Sequence, residues 1–209
     1  MRSCRRIFLD YYLDKYSHLI KGNVFDIGGD KFNKRGNFNL NNLKVKCTYI
    51  NNNLETKPDI LSDITKINLK ANVADTVIVT ETLEYVKDIK LAMSEMSRIS
   101  KKNSFLLISI PLINSIHGDK DQDMVRYTES YLYNIINKYN FKILNFHRMG
   151  GLGSVIFDLI RFHLVLRKRK ILLRFLYIFY YFFLFIDKLT KLSREYINTG
   201  YFVVIQNNE

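Results

Sequence analysis

The chain has 209 residues, of which 47% are hydrophobic and 25% charged. That is enough for one globular domain with an appendage and a core that needs no staple. Nine Gly, two Pro and two Cys, Cys4 and Cys47, exclude collagen, wholesale disorder, a disulfide scaffold and a Cys-rich zinc module. The net charge of +12 favours polyanionic partners: nucleic acid, anionic lipid or a phosphorylated substrate. The charge is uneven, with 23 Lys and Arg against 16 Asp and Glu over residues 1–150, and 9 against 4 over the much shorter 151–209.

The start is basic (Arg2, Arg5, Arg6), but Asp10 stops the apolar run Ile7-Phe8-Leu9, so no secretion signal is expected. Ile7, Phe8, Tyr11, Tyr12, Tyr16, Leu19 and Ile20 space as a helix over 5–20, with Gly22 as its stop. A buried strand at 24–27 runs into Gly28-Gly29, and 30–44 reads as a loop. Strands follow at 46–50, 60–62 and, β-branched throughout, 76–80. Asp88 caps a helix whose Ile89, Ala92, Met93, Met96 and Ile99 share one face. The strand 105–110 is closed by Pro111. Thr128 caps a helix running to Tyr139, with Asn140 as a left-handed stop. Strands at 142–147 and 201–206 complete the set, expected as an antiparallel hairpin at one sheet edge. Between them lies a helical, apolar and basic segment, 152–195.

Strands alternating with helices predict an α/β fold: a doubly wound, Rossmann-like, seven-stranded and mostly parallel sheet in a single domain spanning 1–209, with 152–195 as an insert before the last strand. Ligands of such sheets sit beyond the carboxyl ends of the strands, which directs attention to 26–30, 51–53, 63–64, 80–85 and 111–128. Asp26-Ile27-Gly28-Gly29-Asp30 is the first candidate, because bare backbone there lets a ligand approach while a carboxylate faces the cleft. The second is Ala74-Asp75-Thr76-Val77-Ile78-Val79-Thr80-Glu81-Thr82-Leu83-Glu84-Tyr85-Val86, followed by Ser94-Glu95-Met96-Ser97-Arg98-Ile99-Ser100-Lys101-Lys102-Asn103-Ser104 and Ile108-Ser109-Ile110-Pro111. In order, spacing and residue type this resembles the class I S-adenosylmethionine-dependent methyltransferases over 22–149. The resemblance resumes at Thr199-Gly200-Tyr201-Phe202-Val203-Val204. The loop His117-Gly118-Asp119-Lys120-Asp121-Gln122-Asp123-Met124-Val125-Arg126-Tyr127-Thr128 resembles that of a branch found with bacterial surface-glycan assembly.

What the resemblance implies is an S-adenosylmethionine donor and a hydroxyl acceptor on a small or lipid-linked glycan. Asp26, Gly28 and Gly29 would face the donor's methionine end, Asn51 or Asn53 its ribose, and Asp63 the adenine amino group. Ile64 would pack on the base, with Thr80 and Glu81 lining the floor. His117 or Asp123 would take the acceptor's proton, and Arg126 would orient the acceptor. A plainer reading makes Arg126 and Asp123 a surface ion pair and Thr128 only a cap. Asp30 stands where the family usually has a second Gly, with Lys31, Lys34 and Arg35 near enough to compensate, and Asn stands where the ribose carboxylate is usual. A catalytically degenerate copy of the fold, acting as a scaffold, is therefore a second reading.

Residues 155–191 pair apolar rings with the cluster Arg167-Lys168-Arg169-Lys170. Ile171 to Ile186 is sixteen residues with one Arg, short of a span of about 20. An interfacial helix on an anionic membrane is expected, which places the chain in the cytoplasm, peripheral on the inner face. The alternatives are a cap over the sheet or a homodimer surface. His18, His117, His147 and His163 lack ligand spacing, so no metal is expected. No nucleic-acid reading motif is present; an RNA methyltransferase is a third reading.

Overall fold

The computed structural model describes residues 2–32, 36–116 and 121–208. The strands β1 (Asn23–Ile27), β2 (Lys46–Asn51), β3 (Ile60–Leu61), β4 (Ala74–Thr80), β5 (Ser100–Pro111), β6 (Phe141–Met149) and β7 (Gly200–Asn207) form one sheet in the order β3-β2-β1-β4-β5-β7-β6. Strands β1 to β5 are parallel, and β7 runs antiparallel to both β5 and β6. The helices are α1 (Cys4–Lys15), α2 (Ile89–Ile99), α3 (Glu129–Lys138), α4 (Leu152–Leu166), α5 (Lys170–Ile178) and α6 (Tyr180–Leu189). The expected doubly wound, mostly parallel α/β sheet is the observed one.

Period-two alternation makes the two layers. Tyr201, Val203 and Ile205 of β7, with Val77 and Val79 of β4, pack under α2 and α3. Phe202, Val204 and Ile78 point the other way, into a core with Leu9 and Leu13 of α1 and Tyr16 just past it. The Asp88 carboxylate accepts from Lys90 N (2.9 Å) and Leu91 N (3.3 Å) at the start of α2. Asp88→Ala should therefore cost about 1 kcal/mol, read from urea midpoints.

Three local expectations change. The first helix ends at Lys15, not 20: a 3-10 turn covers Ser17–Leu19, and Gly22 belongs to the turn into β1. Strand β5 begins at Ser100 rather than 105: Ser100 pairs with Ala74 of β4, and the Asn207 carboxamide donates to the Ser100 and Lys101 carbonyls. Strands β6 and β7 do pair antiparallel at one edge, but the whole insert separates them, so they are no hairpin.

The insert is locked down by two buried aspartates, each satisfying the open N-terminus of another helix. Asp158 of α4 accepts from Cys4 N (2.6 Å) and Arg5 N (3.0 Å), at the first turn of α1. Asp187 of α6 accepts from Ser154 N (2.9 Å) and from its hydroxyl, in the first turn of α4. Gly153 lets α4 approach α6 closely, since a Cβ there would lie 2.0 Å from the Phe183 carbonyl oxygen. Cys4, Phe157 and Leu176 form the small core beneath, and burial keeps the Cys4 thiol protonated.

Candidate functional site

The strand order reverses between β1 and β4, and this opens the crevice at their carboxyl ends. Asp26 lies near the end of β1 and Gly28 just past it. Gly28 has φ +80°, and a Cβ there would fall 2.2 Å from Thr82 Oγ1. Thr82 Oγ1 itself donates to the Ile27 (3.2 Å) and Thr80 (3.1 Å) carbonyls. At Gly29 a Cβ would overlap the Asp26 carboxylate. The two glycines thus let the Asp26 carboxylate and Thr82 sit directly against the backbone.

Glu81 follows β4 and is held in the left-handed region at φ 55°. For a non-glycine residue that is an uncommon and costly conformation. Ser109 of β5 enforces it: Glu81 N donates to the Ser109 carbonyl (3.0 Å), and the Ser109 hydroxyl donates to Glu81 Oε1 (2.8 Å). The other Glu81 oxygen meets the guanidinium of Arg5, brought across by α1, and both side chains are under 10% exposed. Burial pushes Arg5 down to about 10, with the charge of Glu84 opposing and those of Arg6 and Arg126 adding. Arg5 was not expected from the sequence, where it read as part of a basic start. Its only signal is an arginine on the inward side of an amphipathic helix.

Asn51 donates through Nδ2 to the Gly29 carbonyl (3.1 Å) and accepts through Oδ1 from Asn53 N (2.9 Å). The expected ribose residue therefore ties the loops after β1 and β2 together. Asn53 caps the next turn, accepting from Glu55 N (2.9 Å). Asp63 accepts from Thr65 N and Oγ1 (2.7 and 2.6 Å), bonds that hold its carboxyl below the usual range. Ile64 is buried in the main core, with little surface left for a base. Thr80 ends β4 beside Glu81, half-buried. Asp30 accepts from Phe32 N (2.9 Å) as a turn residue. Lys31 does not compensate it, because its ammonium goes to Asp59 (2.6 Å); Lys34 and Arg35 lie outside the described residues.

On the acceptor side, His117 also lies outside the described residues. The Asp123 carboxylate pairs with both Nη atoms of Arg126, and the Asp123 side chain is fully shielded. That pair raises Arg126 above its ordinary value, mainly through the hydrogen bond to Asp123. The ion pair of the plainer reading is thus present, with Arg126 partly exposed and the Asp123 side chain shielded. Met124 N (3.0 Å) and Val125 N (3.2 Å) donate to the carbonyl of Glu84, a fully buried residue, and dock the loop beside the crevice. Thr128 caps α3, its Oγ1 accepting from Tyr131 N at 3.4 Å. An open depression of about 600 Å³ lies next to this loop, lined by Lys87, Lys90, Val125, Arg126, Tyr127 and Tyr131. None of Asp26, Gly28, Thr80 or Glu81 lines it.

Three acids, Asp26 near the end of β1 and Glu81 and Glu84 past β4, would suit the cationic sulfonium of a donor, while Arg5 faces Glu81 with Arg6 and Arg126 close enough to be felt.

Comparison with known proteins agrees with this geometry. Residues 39–108 match the family described as a methyltransferase domain. No curated protein sequence matches the chain. Among solved structures, phosphoethanolamine N-methyltransferase 2 of Haemonchus contortus, in complex with phosphomonomethylethanolamine and S-adenosylhomocysteine, superposes with a TM-score of 0.63 at 14% identity. That match covers 96% of this chain and 53% of the other, so the chain spans about half of the Haemonchus enzyme. A SAM-dependent methyltransferase from Archaeoglobus fulgidus gives 0.63 at 12% identity, covering 97% of this chain and 94% of that one. The cyclase SpnF gives 0.60 at 13% identity, covering 95% and 81%. The domain match spans a third of the chain, and the shared sheet shows that its fold is that of the class I S-adenosylmethionine-dependent methyltransferases.

Proposed function

We propose that the chain transfers a methyl group from S-adenosylmethionine to a hydroxyl of a small or lipid-linked glycan, at the inner face of a bacterial membrane, in surface-glycan biosynthesis. The observation that carries methyl transfer is Glu81, a buried acid kept at positive φ at the sheet's switch point by Ser109 and Arg5. Strain of this kind is retained where a site must be preorganised. The donor supplies an electrophilic methyl on a sulfonium. The chain's own share is to align acceptor and donor and to take the hydroxyl's proton. Asp26 and the Gly28-Gly29 backbone hold the methionine end, and Asn51, bridging two loops, closes the ribose end. Asp63 is the candidate for the adenine side, with Ile64 supporting it from the core rather than packing on the base. Arg126, at the rim of the 600 Å³ depression, orients the acceptor. His117 or Asp123 takes the proton, and for Asp123 this requires parting from Arg126. The glycan acceptor rests on the resemblance of the 117–128 loop.

The Arg5–Glu81 pair inside the crevice favours a second reading, a scaffold that keeps the fold without turnover, as does the presence of the same fold in a cyclase. Calorimetry with S-adenosylhomocysteine separates the two. Binding is expected, and Asp26→Asn should weaken it about tenfold, the loss of one charge-assisted hydrogen bond. A wild-type chain that gives no heat leaves the scaffold reading.

A further inference from the structure

In the insert, Ile171, Phe175, Ile178, Phe182, Phe185 and Leu189 follow one another at alternating steps of four and three residues. Each is between 53% and 70% exposed. They form one continuous apolar stripe along α5 and α6, on the side away from the small core that Leu176 and Phe183 help to build. A contiguous apolar surface of this length on a folded chain marks an interaction face. The surrounding charge is of one sign. Residues 167–191 carry seven Lys and Arg and a single acid, Asp187. That acid is buried as the cap of α4. Arg167, Lys168, Arg169 and Lys170 precede the stripe, Arg174 flanks it, and Lys188 and Lys191 close it, all of them exposed. No helix among the described residues is long and apolar enough to cross a membrane.

We infer that this stripe docks the protein on an anionic lipid surface, with its rings among the acyl chains and its cations on the headgroups. Two copies pairing along the same stripe would bring two sets of exposed cations together, which opposes self-association, whereas an anionic leaflet complements them. The position follows from the register: Met149 and Pro111 both pair with Gly200, so the insert leaves and re-enters the sheet at the carboxyl edge, where the crevice lies. Through Asp158 it also holds the first turn of α1, which carries Arg5 to Glu81. Docking therefore brings the crevice to the headgroup layer and selects acceptors anchored in lipid. This last point rests on the methyltransferase reading; docking itself does not.

The chain has no tryptophan, so Phe182→Trp on the stripe and Leu91→Trp on α2 each give a single reporter. With vesicles of phosphatidylcholine and phosphatidylglycerol, the protein should float. The Phe182→Trp emission should shift to the blue and be quenched by lipids brominated in the acyl chain, while that of Leu91→Trp does neither. Replacing Arg167, Lys168, Arg169 and Lys170 together by Gln should lower partitioning at least ~100-fold, at about fivefold per cation. No flotation, or equal quenching of both reporters, overturns the proposal. A blue shift of Phe182→Trp that grows with protein concentration without vesicles assigns the stripe to a second copy instead and also overturns it. S-adenosylhomocysteine binding, measured without lipid, reports on the methyltransferase reading independently.

Discussion

Asp158→Ala should lower folding stability by about 3 kcal/mol, because it orphans two buried backbone N–H groups at once. The carboxylate is 4% exposed and takes the amides of Cys4 and Arg5 from the far end of the chain. The buried Arg5 also loses a nearby negative charge. The pH dependence has a definite sign. Burial raises Asp158 above the ordinary aspartate value. The native state therefore holds this proton to higher pH than the unfolded chain. The stability it contributes is fully present below the unfolded value and is lost as pH rises through the raised native one. Asp158→Asn, which cannot ionise, should remove that component. Urea midpoints of wild type and the Asn variant should thus move closer together, or cross, as pH rises through the window above the ordinary aspartate value. A gap that widens over the same window contradicts the assignment. Because α1 carries Arg5 to Glu81, the Ala variant should also loosen the crevice, seen as faster amide exchange in the first turn of α1.

Gly28→Ala should cost about 2 kcal/mol in stability and at least tenfold in S-adenosylhomocysteine affinity. Two effects add. A residue with a Cβ at φ +80° is strained, by about 1 kcal/mol. The Cβ also overlaps Thr82, whose hydroxyl is committed to the Ile27 and Thr80 carbonyls. Combining Gly28→Ala with Thr82→Ala removes the two shortest contacts, to Oγ1 (2.2 Å) and Cγ2 (2.5 Å), and leaves the strain and a 2.9 Å approach to the Cβ at 82. The double variant should then be less damaged than the sum of the singles by about 1 kcal/mol, the coupling of residues in contact. Strict additivity would mean that Thr82 does not set the position of this loop. Since Gly28 N also donates to the Ile50 carbonyl (2.8 Å), the loop's shift should carry to β2 and Asn51.

Much of the architecture was legible locally. Alternating Tyr201, Phe202, Val203 and Val204 marks a strand buried on both faces, and those residues do divide between two cores. Asp88 and Thr128 read as caps because a short side-chain acceptor ahead of an apolar period satisfies the first free amides. The first helix was read too long because Tyr16, Leu19 and Ile20 keep an apolar spacing; in the fold they are buried or half-buried around a 3-10 turn.

Residue type and order alone thus determined the strands, the caps, the Asp26-to-Gly29 loop and the basic, ring-rich insert, since each is a pattern within a few neighbouring positions. Only the tertiary structure decided that Arg5 meets Glu81, that Asp158 and Asp187 cap helices they are not part of, that Asp123 is sealed by Arg126, and which side of α5 and α6 stays bare. The reason is physical. Buried charges must find partners, and those partners come from elements that packing brings together across most of the chain, with spacings no local period records.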